Sequence, residues 1–379
     1  MQRITSTPRY DWEKRVEEIG FGFHTLEDTY WDESAYYQFK LSQIEELEKA
    51  TAELFDRCLD AVQYVIDHKL YDRFHINPAF IPMIEKSWNN DLPSIYGRFD
   101  FAYDGINPPK MLEFNADTPT SLYEASVVQW YWLEDVHKGA DQFNSIHEKL
   151  VGYWKELKPY LNQGKIHFAC VKDTMEDLTT VEYLRDCAMQ AGLETEFVFI
   201  DDLGWDNQNR CFVDMSENPV TNIFKLYPWE WLTHEDFAQN ILQDVNQTIW
   251  IEPAWKMILS NKAILPVLWQ LFPDHPNLLA TYFKASPLGN DYVKKPILSR
   301  EGANVTIVRY GGVLEESAGD YGEEGFIYQE YFQLPQFLDN YPVIGSWVIG
   351  CEPAGMGIRE TKTRITDNLS RFLPHIIKD

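Results

Sequence analysis

Residues 96–124, YGRFDFAYDGINPPKMLEFNADTPTSLYE, restrict what this chain can fold into more than any other stretch. Two runs of alternating polar and apolar residues flank a turn made of Asp104, Gly105, Ile106, Asn107, Pro108 and Pro109, which is the pattern of a β-hairpin with two unlike faces. Side chains two apart on a strand share a face. Arg98 and Asp100 therefore lie on one side and Phe99 and Phe101 on the other, while the return strand sets Glu113 and Asn115 against Leu112 and Phe114. A hairpin symmetric about Ile106 and Asn107 puts Asp100 opposite Glu113 and Arg98 opposite Asn115, all on one face.

Carboxylates facing each other across strands repel and call for a cation between them, and the oxygen donors of Asp100, Glu113 and Asn115 suit Mg²⁺. An arginine alongside can hold a phosphate through its planar fork. The competing reading is a solvated sheet face with a surface salt bridge. Just downstream, Asp117-Thr118-Pro119-Thr120-Ser121 reads as a helix start, with a Thr or Asp cap and Pro in the first turn, ahead of an amphipathic run to Trp132. Free amides at a helix N-terminus bind carboxylate or phosphate, so an anionic substrate is expected at Thr118 and Ser121.

The run MLEFNADTPTSLYEAS resembles the glutathionylspermidine synthetase family, whose ATP-grasp ligase domain carries Glu-x-Asn-Ala-Asp and an Arg-x-Asp on the neighbouring strand. The resemblance implies an α/β protein with an ATP-grasp fold of that type and a pre-ATP-grasp α/β lobe. It implies ATP and two Mg²⁺ ions as cofactors, small-molecule carboxylic acid and amine substrates, and an amide formed through an acyl phosphate. It spans nearly the whole chain but only the synthetase domain of the family. The N-terminal Cys-His amidase domain of bifunctional members is not expected in 379 residues.

The absence of a linker-like Gly, Ser or Pro run suggests one interlocked unit over 1–379, with approximate lobes at 1–95, 96–245 and 246–379. Hydrophobic residues at 45% and 13 tryptophans can build a large core. A formal charge of −26 argues against nucleic acid, whose phosphates it would repel. The five cysteines form no Cys-x-x-Cys, so neither a disulfide framework nor a zinc site is expected. No apolar run is long enough for a leader or a membrane span, which points to a soluble cytoplasmic protein.

The first ninety residues read as helical and structural, with a capping box over Ser42–Glu45 and a long helix whose buried face holds Leu47, Leu54, Cys58, Ala61 and Val65. Further on, IHFACV, a helix over 178–191 and TEFVFI form a β-α-β unit with no dinucleotide or P-loop glycine pattern. The segment NIFKLYPWEW stays open between two readings. Lys225 and Glu230 are polar site groups beside stacking Tyr227, Trp229 and Trp231, or the aromatics merely close the core.

Other roles rest on the resemblance. Lys262, at a helix start, and Lys295, at a strand end before a glycine loop, neutralise nucleotide phosphates. Adjacent strand residues face opposite ways, so only one of Lys294 and Lys295 can enter the site, and the family places its lysine directly before Pro. The loop with Glu301 and Gly302 covers the nucleotide. Gln329, Glu330 and Tyr331 meet the adenine edge, and Arg359 meets a phosphate with Ile365 close by. Phe99 joins Arg98 and Asp100 at the nucleotide, and Arg98 is catalytic. Glu176, Asp177 and Glu230 are substrate residues; as first-turn acids, Glu176 and Asp177 equally suit a helix cap. Two other classes remain open at this level, a Mg²⁺-dependent hydrolase or ATPase and a non-catalytic aromatic-rich binding module.

Overall fold

The computed structural model describes residues 1–245, 247–367 and 370–378. The hairpin forms where expected, Tyr96–Ala102 pairing antiparallel with Lys110–Asn115. It makes one side of a five-stranded antiparallel sheet, the platform, continued by Tyr341–Ile349, Glu352–Thr361 and Arg371–Leu373. Asp100 pairs with Glu113 and Arg98 with Asn115, in the expected register. Beyond Asp100 the register slips by one, so that Phe101 faces Met111. A bulge of this kind re-aims one side chain. Met111 becomes the core residue, and Leu112, expected among the buried apolar residues, turns instead to a cleft lining.

The apolar face of the hairpin is anchored by aromatic contact, with Phe99 and Phe114 stacked at 3.9 Å between ring centroids and Phe55 meeting Phe114 edge-on. Phe55 belongs to the helix Leu41–Asp67, whose buried face contains the five residues expected of it. Burying each large side chain contributes roughly 1.5–3 kcal/mol, so this contact fixes the platform firmly. The helix cap lies earlier than expected: Gln43 accepts a bond from the Lys40 amide at 3.0 Å, in place of a box on Ser42 and Glu45. Nor is the N-terminal region only helical. Gln2–Thr5 and Ala35–Phe39 form a sheet with His375–Ile377, bringing the two ends of the chain together.

A second antiparallel sheet contains Thr281–Tyr282, Phe326–Glu330, Tyr292–Pro296, Thr306–Arg309 and Gly312–Glu316, in that spatial order. A parallel sheet orders Ile249–Ile251, Asn222–Lys225, Ile166–Cys170 and Thr195–Phe199. It contains the expected β-α-β unit, with the helix starting earlier, at Met175.

Two buried ion pairs fasten the platform to the parallel lobe. Lys256 Nζ donates to the carbonyls of Tyr96 and Ala116, each at 3.0 Å, and lies 3.4 Å from Glu252, which accepts the Ile95 amide at 2.8 Å. Lys225 Nζ donates to Asp117 at 2.9 Å, and the other Asp117 oxygen accepts the Trp229 amide at 2.8 Å. Lys225 is thereby a core group holding the end of the hairpin, which corrects its candidacy as a site residue. Trp229 is likewise wholly buried, and the chain after Lys225 turns into a short helix, Trp229–Leu232. No helix among the described residues is long and apolar enough to cross a membrane.

Candidate active site

A cleft opens between the platform and the second antiparallel sheet. The platform contributes Arg98, Asp100, Glu113, Asn115 and Arg359, and the second sheet contributes Lys295, Gln329 and Glu330. Connecting segments add Lys262, Thr118, Glu301, Gly302, Tyr331 and Ile365. Six basic and four acidic side chains line the cleft, so on a chain of net charge −26 this surface is locally positive and suited to a polyphosphate.

Asp100 is the hub. Arg98 donates to both of its oxygens, Nε at 2.6 Å and Nη2 at 3.0 Å, and Arg359 Nη2 donates at 3.0 Å. Arg98 Nη1 also donates to the Thr120 carbonyl at 2.6 Å, which leaves the guanidinium little freedom. Across the strand pair, Glu113 lies 3.2 Å from Lys262 Nζ. Burial alone would raise the Glu113 carboxyl, but Lys262, Lys295 and Arg98 outweigh it and hold the group down to about 2.

Lys295 donates to the Gln329 side-chain oxygen at 2.7 Å and to the Leu112 carbonyl at 2.9 Å, so the bulge at Leu112 receives the lysine from the opposite sheet. Burial lowers its ammonium to about 8, against the pull of Glu113. Lys294 goes the other way and lies over the Phe326 ring at 3.7 Å, as strand alternation requires.

The donors fit a hard divalent cation. Asp100 and Glu113 present carboxylates on one face in direct register, Asn115 beside them donates Nδ2 to Asp100 at 3.3 Å and to Glu113 at 3.4 Å, and Mg²⁺ commonly takes one or two carboxylates and completes its shell with phosphate and water. Among the described residues no group of three or more His, Cys, Asp or Glu could hold a metal ion.

The glycine loop lines the cleft with Ser299, Arg300, Glu301 and Gly302. At Gly302 φ is +67°, and a Cβ there would fall 2.4 Å from the Thr366 carbonyl, so only glycine fits. Arg300, which the sequence reading passed over, pins this loop: it donates to Thr118 Oγ1 at 2.7 Å and to Glu230 at 2.7 and 3.1 Å. Glu230 thus stands beside the cleft, as the anchor of Arg300. A cation two residues before a glycine in a loop between strands was the available signal.

Four expectations change. The helix expected at Thr118 begins only at Leu122 and runs at once into a π-helical turn, Glu124–Val128, before the α-helix Gln129–Val136. Thr118 remains in the cleft, on a bend rather than on helix amides. Ser121 does not: it is buried with φ +66°, 3.1 Å from the Tyr30 hydroxyl. Phe99 is packed in the core on the opposite face, so its side chain does not reach a nucleotide.

Glu176 and Asp177 occupy the first turn of their helix, as the capping alternative had it, and do not line the cleft itself. They nonetheless form an acidic group in which Glu176 feels the charges of Glu124 and Asp177. Burial, together with the charges of Glu124 and Asp177, raises the Glu176 carboxyl to about 8, and burial raises Asp177 to about 6. Glu124 completes the group from the π-helical turn. It is fully buried, with one oxygen accepting the Tyr30 hydroxyl at 2.6 Å and the other without a partner. π-turns of this type recur at functional sites.

Residues 3–378 match the family described as glutathionylspermidine synthase pre-ATP-grasp. The chain belongs to this family. With membership come the ATP-grasp fold and the class of carbon–nitrogen-forming ligases. A Haemophilus influenzae protein provisionally named acid–amine ligase is 43% identical over 99% of both chains. The trypanothione synthetase of Crithidia fasciculata is 32% identical over 86% of this chain and 54% of its own length. The bifunctional glutathionylspermidine synthetase/amidase of Escherichia coli K12 is 30% identical over 90% of this chain and 59% of its own. The chain thus spans a little over half of these last two relatives.

Proposed function

We propose that this glutathionylspermidine synthase family member joins a carboxylic acid to an amine with ATP hydrolysed to ADP and phosphate, through an acyl phosphate. The observation that carries the reading is the convergence of Lys262 and Lys295, from distant parts of the chain, on the Asp100–Glu113 face of the hairpin. A hydrolase using the carboxylates alone would have no need of either lysine.

In this reading the cleft would take ATP, with Gln329, Glu330, Tyr331 and Ile365 holding the base and Lys262, Lys295 and Arg359 the phosphates. Asp100, Glu113 and Asn115 would hold Mg²⁺, which would supply positive charge to offset that of the phosphates. Arg98, fixed by Asp100 and the Thr120 carbonyl, donates to the phosphoryl group as it transfers to the acid's carboxylate. The amine then attacks the acyl carbon and phosphate leaves. The loop held by Arg300 keeps water from the activated acid.

The acid is a peptide or glutathione-like molecule held near Thr118 and Glu230, and the amine is a polyamine or another cationic amine drawn to Glu124, Glu176 and Asp177. Hydroxylamine tests the activated acid without the natural amine. Incubation with ATP, Mg²⁺ and a panel of small peptides including glutathione is expected to give a hydroxamate by mass spectrometry with at least one acid. ADP release with no hydroxamate from any acid would overturn acyl activation in favour of a simple ATPase.

A further inference from the structure

We infer that Gly345 is a positioning residue for phosphoryl transfer, because its missing side chain is the space in which Arg98 lies. This rests on the role proposed above for Arg98. Gly345 pairs directly with Asp100 on the neighbouring strand, so a side chain there would project from the platform face that carries Arg98 and Asp100. An ideal Cβ at Gly345 falls 2.7 Å from Arg98 Cδ, 3.3 Å from Cγ and 3.2 Å from Nε. The backbone of Gly345 is outside the left-handed region, so conformation does not demand glycine there; space does.

The space is functional because Arg98 cannot move aside without losing what orients it. Nε, one of the atoms the Cβ would press on, is the donor to Asp100 at 2.6 Å, and Nη1 is tied to the Thr120 carbonyl at 2.6 Å. On the far side the guanidinium carbon lies 5.8 Å from the centre of the Trp347 ring, whose residue pairs with Arg98 across the strands. A methyl group at position 345 therefore drives the arginine off Asp100 and out of its fork geometry. Opposite Gly345 on the next strand is Gly357, where a Cβ would fall 2.6 Å from Phe372 and 3.3 Å from Ala125 of the π-helical turn. The two glycines leave a bare strip on the platform, with Arg98 on one side and the turn bearing Glu124 on the other.

The test is Gly345→Ala, compared with wild type for ADP release, for ATP affinity and for the position of Arg98 in a crystal structure. The expected result is a kcat lowered tenfold or more, an ATP KM within about twofold of wild type, and a guanidinium displaced from Asp100. Wild-type kcat, or a loss carried by KM alone, would overturn the inference. A second comparison places Gly345→Ala on the Arg98→Ala background, which has no side chain to clash. No further loss is expected, and an additional loss would mean that Gly345 acts through something other than Arg98. If wild type itself shows no ADP release with any acid and amine, the proposed function fails. Gly345 is then judged on the crystal structure, where an Arg98 still bonded to both Asp100 oxygens in Gly345→Ala rejects it.

Discussion

Asp100 accepts bonds from two arginines, and its neighbour Glu113 sits between two lysines; these pairings decide what single substitutions should do. Arg98→Ala should retain ATP binding while turnover falls about a hundredfold, the roughly 3 kcal/mol typical of a lost preorganised donor. Wild-type turnover in that variant would remove Arg98 from the mechanism. Lys295 offers a pH test. Its ammonium, lowered by burial to about 8, loses its proton above that pH, so ATP affinity measured by calorimetry should weaken between pH 7 and 9, and Lys295→Met should bind weakly with no such pH dependence. Glu176 shifts the opposite way. Burial raises it to about 8, so the folded protein keeps a proton that the unfolded chain loses above its ordinary value of 4.5, and stability falls as pH rises from there towards 8. Glu176→Gln should thus raise the unfolding temperature of the unliganded protein at pH 8 while raising the KM of the amine; a lowered temperature would contradict the buried acidic group. Lys295 could be separated from Lys294 in the sequence because strand alternation forces adjacent residues apart. Glu124 was not legible, since its burial depends on Tyr30, which lies 94 residues away in the chain.

At the scale of elements, the hairpin register was readable because turn residues and alternating faces together fix one midpoint. The bulge at Leu112 was not, since it depends on Lys295 and Gln329 arriving from another sheet. The helix start was misplaced for a related reason: cap and proline signals at Thr118 are local, whereas Ser121 is held in a left-handed conformation beside Tyr30. The glycine loop was legible in composition but not in its latch, Arg300. Gly302→Ala should weaken ATP binding tenfold or more with little change in unfolding temperature, because the loop must retreat from the Thr366 carbonyl while the core is untouched. Unchanged affinity would mean that the loop does not close over the nucleotide.

For the whole molecule, the family and the ATP-grasp fold were readable from one contiguous motif, while the assembly that makes the motif useful is spread across the chain. The ion pairs of Lys225 with Asp117 and Lys256 with Glu252 hold the hairpin against the parallel lobe. Lys225→Met leaves the Asp117 charge buried and should destabilise the protein by about 3–5 kcal/mol in chemical denaturation, with part of that recovered in Lys225→Met/Asp117→Leu. No recovery would show that the Trp229 amide bond, rather than the charge, is what Asp117 supplies. The proposed function has the single cleft between these lobes activate an acid and receive an amine. The most direct measurement of that claim is ADP release across a matrix of acids and amines, with an ¹⁸O-labelled carboxylate on the acid that supports turnover. The account predicts ADP release that needs both partners, one amide per ADP, and one ¹⁸O carried into the released phosphate. ADP release indifferent to both partners, or phosphate without label, would contradict it.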